Sequence, residues 1–62
     1  MQTHYIAERE AAAYVGLSVH TLRRWRSDGK GPKYCKIGAR AIRYTRADLD
    51  EFMDAQKVTP VQ

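Results

Sequence analysis

Gly16-Leu17-Ser18 interrupts what would otherwise be one helical run from Glu8 to Ser27, and this break constrains the fold more than any other feature. Glycine readily takes the left-handed conformation that ends a helix, and serine is a strong N-cap for the next one. Leu17 between them supplies an apolar anchor. Before the break, Glu8 to Val15 reads as a first helix, because Ala11, Ala12 and Ala13 are strong helix formers and the acids of the first turn suit the helix dipole. Its N-cap position falls on Ala7, which has no side-chain acceptor, leaving Glu10 to reach back. Ala11, Tyr14 and Val15 share one face of this helix. After the break, a second helix is expected from Val19 to Ser27 or Asp28, stopped by Gly29. At 100° per residue, Val19, Leu22 and Trp25 face inward and His20, Arg24 and Ser27 outward, with Thr21 and Arg23 on the flanks. Arg26 falls nearer the core side, where a salt bridge or a snorkelled stem suits it.

Two short helices joined by a three-residue turn containing glycine form a helix-turn-helix pattern. The loop Gly29-Lys30-Gly31-Pro32 follows, then two β-like runs, Lys33 to Ile37 and Ala41 to Tyr44. Gly38-Ala39-Arg40 is short enough to join them as a hairpin, with Ile37 and Ile42 as its inward pair. Thr45 caps a last helix, Asp48 is its capping-box partner, and Leu49, Phe52 and Met53 form the buried stripe. The expected fold is therefore α+β, mainly α: a small winged helix-turn-helix domain over residues 1–55. Met1 to His4 reads as a loose leader and residues 56–62 as a flexible tail.

A chain of 62 residues makes one small domain, which buries only about 60% of the surface its unfolded form exposes. Ile6, Tyr14, Val15, Leu17, Leu22, Trp25, Ile37, Ile42, Leu49, Phe52 and Met53 suffice for one compact core and leave no deep substrate cleft. The single cysteine, Cys35, has no internal disulfide partner, which makes a reducing, cytoplasmic compartment the expectation. No apolar leader or long uncharged run points to secretion or a membrane. His4 and His20 lie far apart and have no metal-ligand spacing with Cys35. The acids of the last helix, Asp48, Asp50, Glu51 and Asp54, have no nucleophile or apolar cleft to tune them. Neither catalysis nor a cofactor is expected.

Charge is strongly polarised along the chain. Between His20 and Arg46 stand nine basic residues against the single acid Asp28, a net of +8, whereas the flanks carry two bases against six acids, a net of −4. A single-sign stretch spanning a helix and a hairpin favours a polyanionic partner over an ordinary solvated surface. DNA affinity needs cations for phosphates, and specificity needs side chains that reach base edges in the major groove. In a helix-turn-helix, the N-terminal part of the second helix reads the bases, which singles out His20, Thr21, Arg23 and Arg24, with Ser27 one turn further on. In the hairpin, Arg40 at the tip suits a narrow minor groove, and Lys33, Lys36 and Arg43 suit phosphates. The Tyr44 hydroxyl either meets a phosphate or its ring packs beside Phe52. Trp25 reads as core and not as a base-stacking platform.

Read together, Glu10-Ala11-Ala12, Tyr14-Val15-Gly16-Leu17-Ser18, Thr21-Leu22, Arg24-Trp25, Gly29, Pro32, Ile37-Gly38, Arg40, Arg43-Tyr44 and Asp48-Leu49 resemble the excisionase branch of the MerR-like winged helix-turn-helix superfamily. The likeness covers about residues 5 to 55. That group includes phage excisionases, which are recombination directionality factors, and small AlpA-like regulators of prophage genes. The resemblance implies a second helix in the major groove and a Gly38–Arg40 wing tip in the adjacent minor groove. It also implies cooperative binding and bending of DNA beside an attachment site, so that a phage integrase assembles an excisive complex. Self-association would then run head-to-tail along the DNA. Two departures stand out. Ala7 occupies a position where the family has Ser or Thr, and the long dimerisation helix and effector region of full MerR regulators are not expected.

Three readings follow: an architectural excisionase, a small transcription regulator on the same fold, and a protein-docking module whose basic face meets an acidic partner. The first two share one DNA-reading surface. The third leaves DNA affinity indifferent to Arg23 and Arg24.

Overall fold

A computed structural model describes residues 4–61. The elements run β1 (Tyr5–Ala7), α1 (Glu8–Val15), α2 (Val19–Ser27), β2 (Cys35–Ile37), β3 (Ala41–Thr45) and α3 (Arg46–Gln56). The architecture is the expected small α+β helix-turn-helix fold with a hairpin wing, extended by one strand. The leader expected over Met1 to His4 lies outside the described residues except for the exposed His4. Of the expected tail, Gln56 still belongs to α3 and Gln62 lies outside the described residues.

The turn forms as its residues dictate. Gly16 adopts φ 77°, and the amides of Gly16 and Leu17 donate to the carbonyls of Ala13 and Ala12 at 3.2 and 2.9 Å. This pair of bonds satisfies carbonyls that the helix end would otherwise leave open. Ser18 Oγ then accepts from the Thr21 amide at 3.1 Å and caps α2. The end of α2 repeats the device, with Gly29 and Lys30 donating to the carbonyls of Arg26 and Trp25. Thr45 caps α3 by accepting from the Asp48 amide at 3.1 Å.

β1 is the element the sequence did not announce. It pairs antiparallel with β3, Ile6 opposite Tyr44 and Ala7 opposite Arg43, so the sheet order is β1-β3-β2. Three residues are too few to display a period-two pattern, and Tyr5-Ile6-Ala7 becomes a strand because β3 offers it an edge. The chain passes from β1 into α1 with no connecting residue.

The core consists of Ile6, Ala11, Ala12, Leu22, Ile42, Tyr44 and Leu49, with Val15 and Val19 packed against it. Each fully buried Ile or Leu contributes about 2 kcal/mol. Ala11 and Ala12, both essentially inaccessible, let α1 lie close to its neighbours. Three expected core residues turn outward instead. Ile37 is 57% exposed because the hairpin register sets Lys36, not Ile37, opposite the buried Ile42; a one-residue offset moves a strand side chain to the other face. Tyr14 is exposed because its hydroxyl donates to Asp50 Oδ1 at 2.8 Å, joining α1 to α3 at the surface. Met53 is also exposed, and Leu49 alone is the buried residue of α3. Phe52, half-buried, packs on Trp25 with ring centroids 5.8 Å apart.

Ala7 stands at the N-cap of α1 in extended conformation and caps nothing. Glu10 does not reach back; its carboxylate bonds Arg46 at 3.4 Å. Ala7→Ser should therefore stabilise the domain by about 1 kcal/mol, measurable as a higher thermal midpoint. Gly16→Ala has open space for its methyl but a forbidding backbone angle, and should cost about 1 kcal/mol. A neutral Gly16→Ala midpoint would contradict this account of the turn.

Candidate nucleic-acid interface

One carboxylate organises the basic surface. Glu8 opens α1, and its Oε1 accepts from Arg23 Nε at 3.2 Å while its Oε2 accepts from Arg26 Nε at 2.9 Å. The Tyr44 hydroxyl donates to the same Oε2 at 3.2 Å. Only 11% of the Glu8 side chain is exposed. One residue thus ties α1 to two turns of α2 and to the central strand.

The electrostatics follow from that geometry. Burial pushes the Glu8 carboxyl up, but the hydrogen bonds and charge of Arg26, with Arg23 and Tyr44, outweigh it and hold the group below its ordinary value. Burial, then the nearby Glu8 charge, pushes the Tyr44 hydroxyl up to about 12, so it stays a donor. The bond to Glu8 holds Arg26 above its ordinary value. Arg26 also lies 5.8 Å from the Tyr34 ring centroid, and Tyr34 packs on Tyr44 at 6.3 Å. Arg26 is thereby the structural arginine its helical position suggested.

The expected reading face of α2 is largely open. His20 and Ser27 are exposed, and the Arg24 side chain is 82% exposed with only a 4.0 Å approach to Asp28. Arg23 is half-exposed and anchored by its Nε on Glu8. Thr21 is half-buried, with its hydroxyl 3.0 Å from Ser18 Oγ, so part of its polar capacity serves the cap.

The wing is less uniform. Arg40 is exposed in the turn and Lys36 is exposed on β2. Arg43 is half-buried, and its Nη1 donates to the Ile42 carbonyl at 2.8 Å. Lys33 stands apart from them, its Nζ 3.6 Å from Glu51 of α3. Tyr44 leaves the set of candidate contacts: it is 1% exposed, its hydroxyl is engaged by Glu8, and its ring packs on Tyr34 rather than Phe52. The alternation along β3 explains this, since Ile42 and Tyr44 share the inner face.

Between α2 and the wing lies an open concavity of about 450 Å³, lined by Arg9, Arg23, Arg26, Arg40 and Arg43 around Glu8. Arg9 was not anticipated, because its sequence neighbours are acidic and the pairing of β1 with β3 that brings it here is not visible locally. Among the described residues, no group of His, Cys, Asp or Glu side chains is placed to hold a metal. No helix among them is long and apolar enough to cross a membrane.

Residues 9–57 match the helix-turn-helix domain family, and the chain belongs to that family. No curated protein matches it. The helix-turn-helix is a DNA-binding architecture, whose second helix docks in the major groove.

The Glu8 cluster makes a pH-dependent contribution to stability. Its folded-state pKa lies below the unfolded value, so this contribution is complete above the unfolded value and is lost as pH falls through the lowered folded value. Glu8→Gln should lower stability at neutral pH by about 1–2 kcal/mol, since the partner arginines remain partly hydrated. That corresponds to roughly 8–15 °C in thermal midpoint for a domain of this size. Circular-dichroism melts from neutral to acid pH should show the gap between Gln variant and parent closing; a constant gap would contradict the assignment.

Proposed function

We propose that this helix-turn-helix protein is an excisionase, binding and bending double-stranded DNA beside an attachment site to direct an integrase toward excision. The observation that carries the reading is the placement of two open basic surfaces on either side of one arginine-lined concavity. His20, Arg23, Arg24 and Ser27 of α2 read base edges, with Thr21 a secondary contact because its hydroxyl also meets Ser18. Arg40 enters the adjacent minor groove, and Lys36 and Arg43 lie against phosphates. Lys33, paired with Glu51, is a peripheral contact.

A protein whose major-groove and minor-groove contacts are held at a fixed spacing favours a bent duplex where that spacing departs from the straight one, the extra contacts offsetting the deformation energy. The architectural role follows from this and from the resemblance of the 5–55 segment to excisionases. Strand exchange is left to the integrase. Copies bound at adjacent sites would associate head-to-tail along the DNA.

Footprinting on the DNA flanking its own gene, followed by bending and excision assays with the neighbouring integrase, tests the proposal. Clustered protected sites, a bend and a shift toward excision are expected. Protection confined to a promoter, with no bend and no effect on excision, would instead assign the protein to transcription regulation, the role of AlpA-like relatives. On the protected duplex, Arg24→Ala should cost about 1–3 kcal/mol of binding and relax sequence preference at one position. Unchanged affinity would favour an acidic protein as the partner of this face.

A further inference from the structure

Of the five arginines around the concavity, two are already matched by an acid. Arg23 and Arg26 are held by Glu8 at 3.2 and 2.9 Å. Arg9, Arg40 and Arg43 have no carboxylate within ion-pair distance among the described residues. They come from three places: the first turn of α1, the wing turn and the central strand. Their convergence depends on the pairing of Ala7 with Arg43, which sets the start of α1 beside β3.

We propose that this concavity is a seat for a DNA backbone phosphate, with Arg9 as a contact contributed by α1. The inference rests on the DNA-binding reading above and adds to it a third contact, between the helix face and the wing tip. Three guanidiniums without acids, gathered at one concave surface, repel one another in the free protein and gain most from a compact divalent or monovalent oxyanion. A phosphodiester fits that chemistry, being an oxygen-rich anion that guanidinium groups engage with paired N–H donors. The location favours DNA over an isolated phosphate. A strand passing from the groove occupied by α2 to the groove occupied by Arg40 must cross the ground between them, and the concavity is that ground. Glu8 limits the net charge of the concavity and keeps Arg26 directed at the protein. The seat therefore positions the backbone without reading sequence.

Fluorescence anisotropy of the whole chain with a mixed-sequence duplex, repeated across salt concentrations, tests the assignment. Arg9 is exposed and makes no ion pair among the described residues, so Arg9→Gln should melt like the parent. It should bind several-fold more weakly and flatten the slope of log affinity against log salt by about one. Arg43→Gln should flatten the slope similarly, with a melt to separate folding from binding. On the footprinted duplex, Arg9→Gln should leave the order of preferred sequences intact, unlike Arg24→Ala. A full salt slope in Arg9→Gln, alongside weakened binding in Arg24→Ala, would overturn the phosphate seat while leaving the DNA-binding reading in place. A parent chain that binds no duplex at all would overturn both.

Discussion

The Glu8 carboxylate is the joint on which the basic surface depends, and its position is set by the sheet. Because β1 runs into α1 without a linker, the register that places Ala7 opposite Arg43 also fixes where Glu8 emerges. From there it reaches α2 at two successive turns and β3 at Tyr44. A buried or half-buried carboxylate is costly unless its acceptor capacity is filled, and here three donors fill it. In a domain with seven buried hydrophobic residues, such a junction matters because few other contacts link the second helix to the sheet. The separation between the helix face and the wing is thus governed by one polar contact set that is partly screened from water.

The charge pattern changes character on folding. In the linear sequence the basic middle and the acidic ends are separate. In the fold the acids of α1 and α3 return to the basic segment: Glu10 meets Arg46 and Glu51 meets Lys33, in addition to the Glu8 pairs. Exposed pairs of this kind add about 0–1 kcal/mol each to stability. Their larger effect is on the field around the molecule. By neutralising Arg46 and Lys33 on the α3 side, they leave the unmatched cations concentrated around α2, the wing and the cleft between them. Repulsion from the acidic α3 surface then favours one orientation toward a polyanion, which is an effect on encounter as much as on affinity.

Much of this was legible because it was local. The turn at Gly16, the caps at Ser18 and Thr45, the stop at Gly29 and the hairpin at Gly38 each rest on a residue whose backbone preference or hydroxyl acts within four positions. The inward side of α2 was also readable, since Leu22 is buried and Arg26 turns to a salt bridge. What escaped the sequence was set by pairing at a distance. β1 exists because β3 has an edge to fill. The same pairing determines that Arg9 joins the wing cleft and that Tyr44 spends its hydroxyl on Glu8. Ile37 was misplaced for a related reason: both isoleucines of the hairpin look equally suited to a core, and only the register distinguishes them.

The two central arginines of α2 illustrate how stability and recognition are coupled in so small a domain. An arginine side chain carries about 2 kcal/mol of rotamer entropy, which is lost when it is fixed against a ligand. Arg24, 82% exposed, keeps nearly all of that freedom in the unbound protein and would give it up in the base contact proposed for it. Arg23 has already lost part of it in folding, because Glu8 holds its Nε. Only the Nε is engaged, so the terminal Nη edge, the edge that forms paired hydrogen bonds with an acceptor, remains available. A ligand contact through that edge would therefore lose less entropy than the same contact from Arg24. On the proposed DNA-reading role of Arg23, the carboxylate that stabilises the fold also prepares that side chain, and the two roles cannot be separated by moving Glu8 alone.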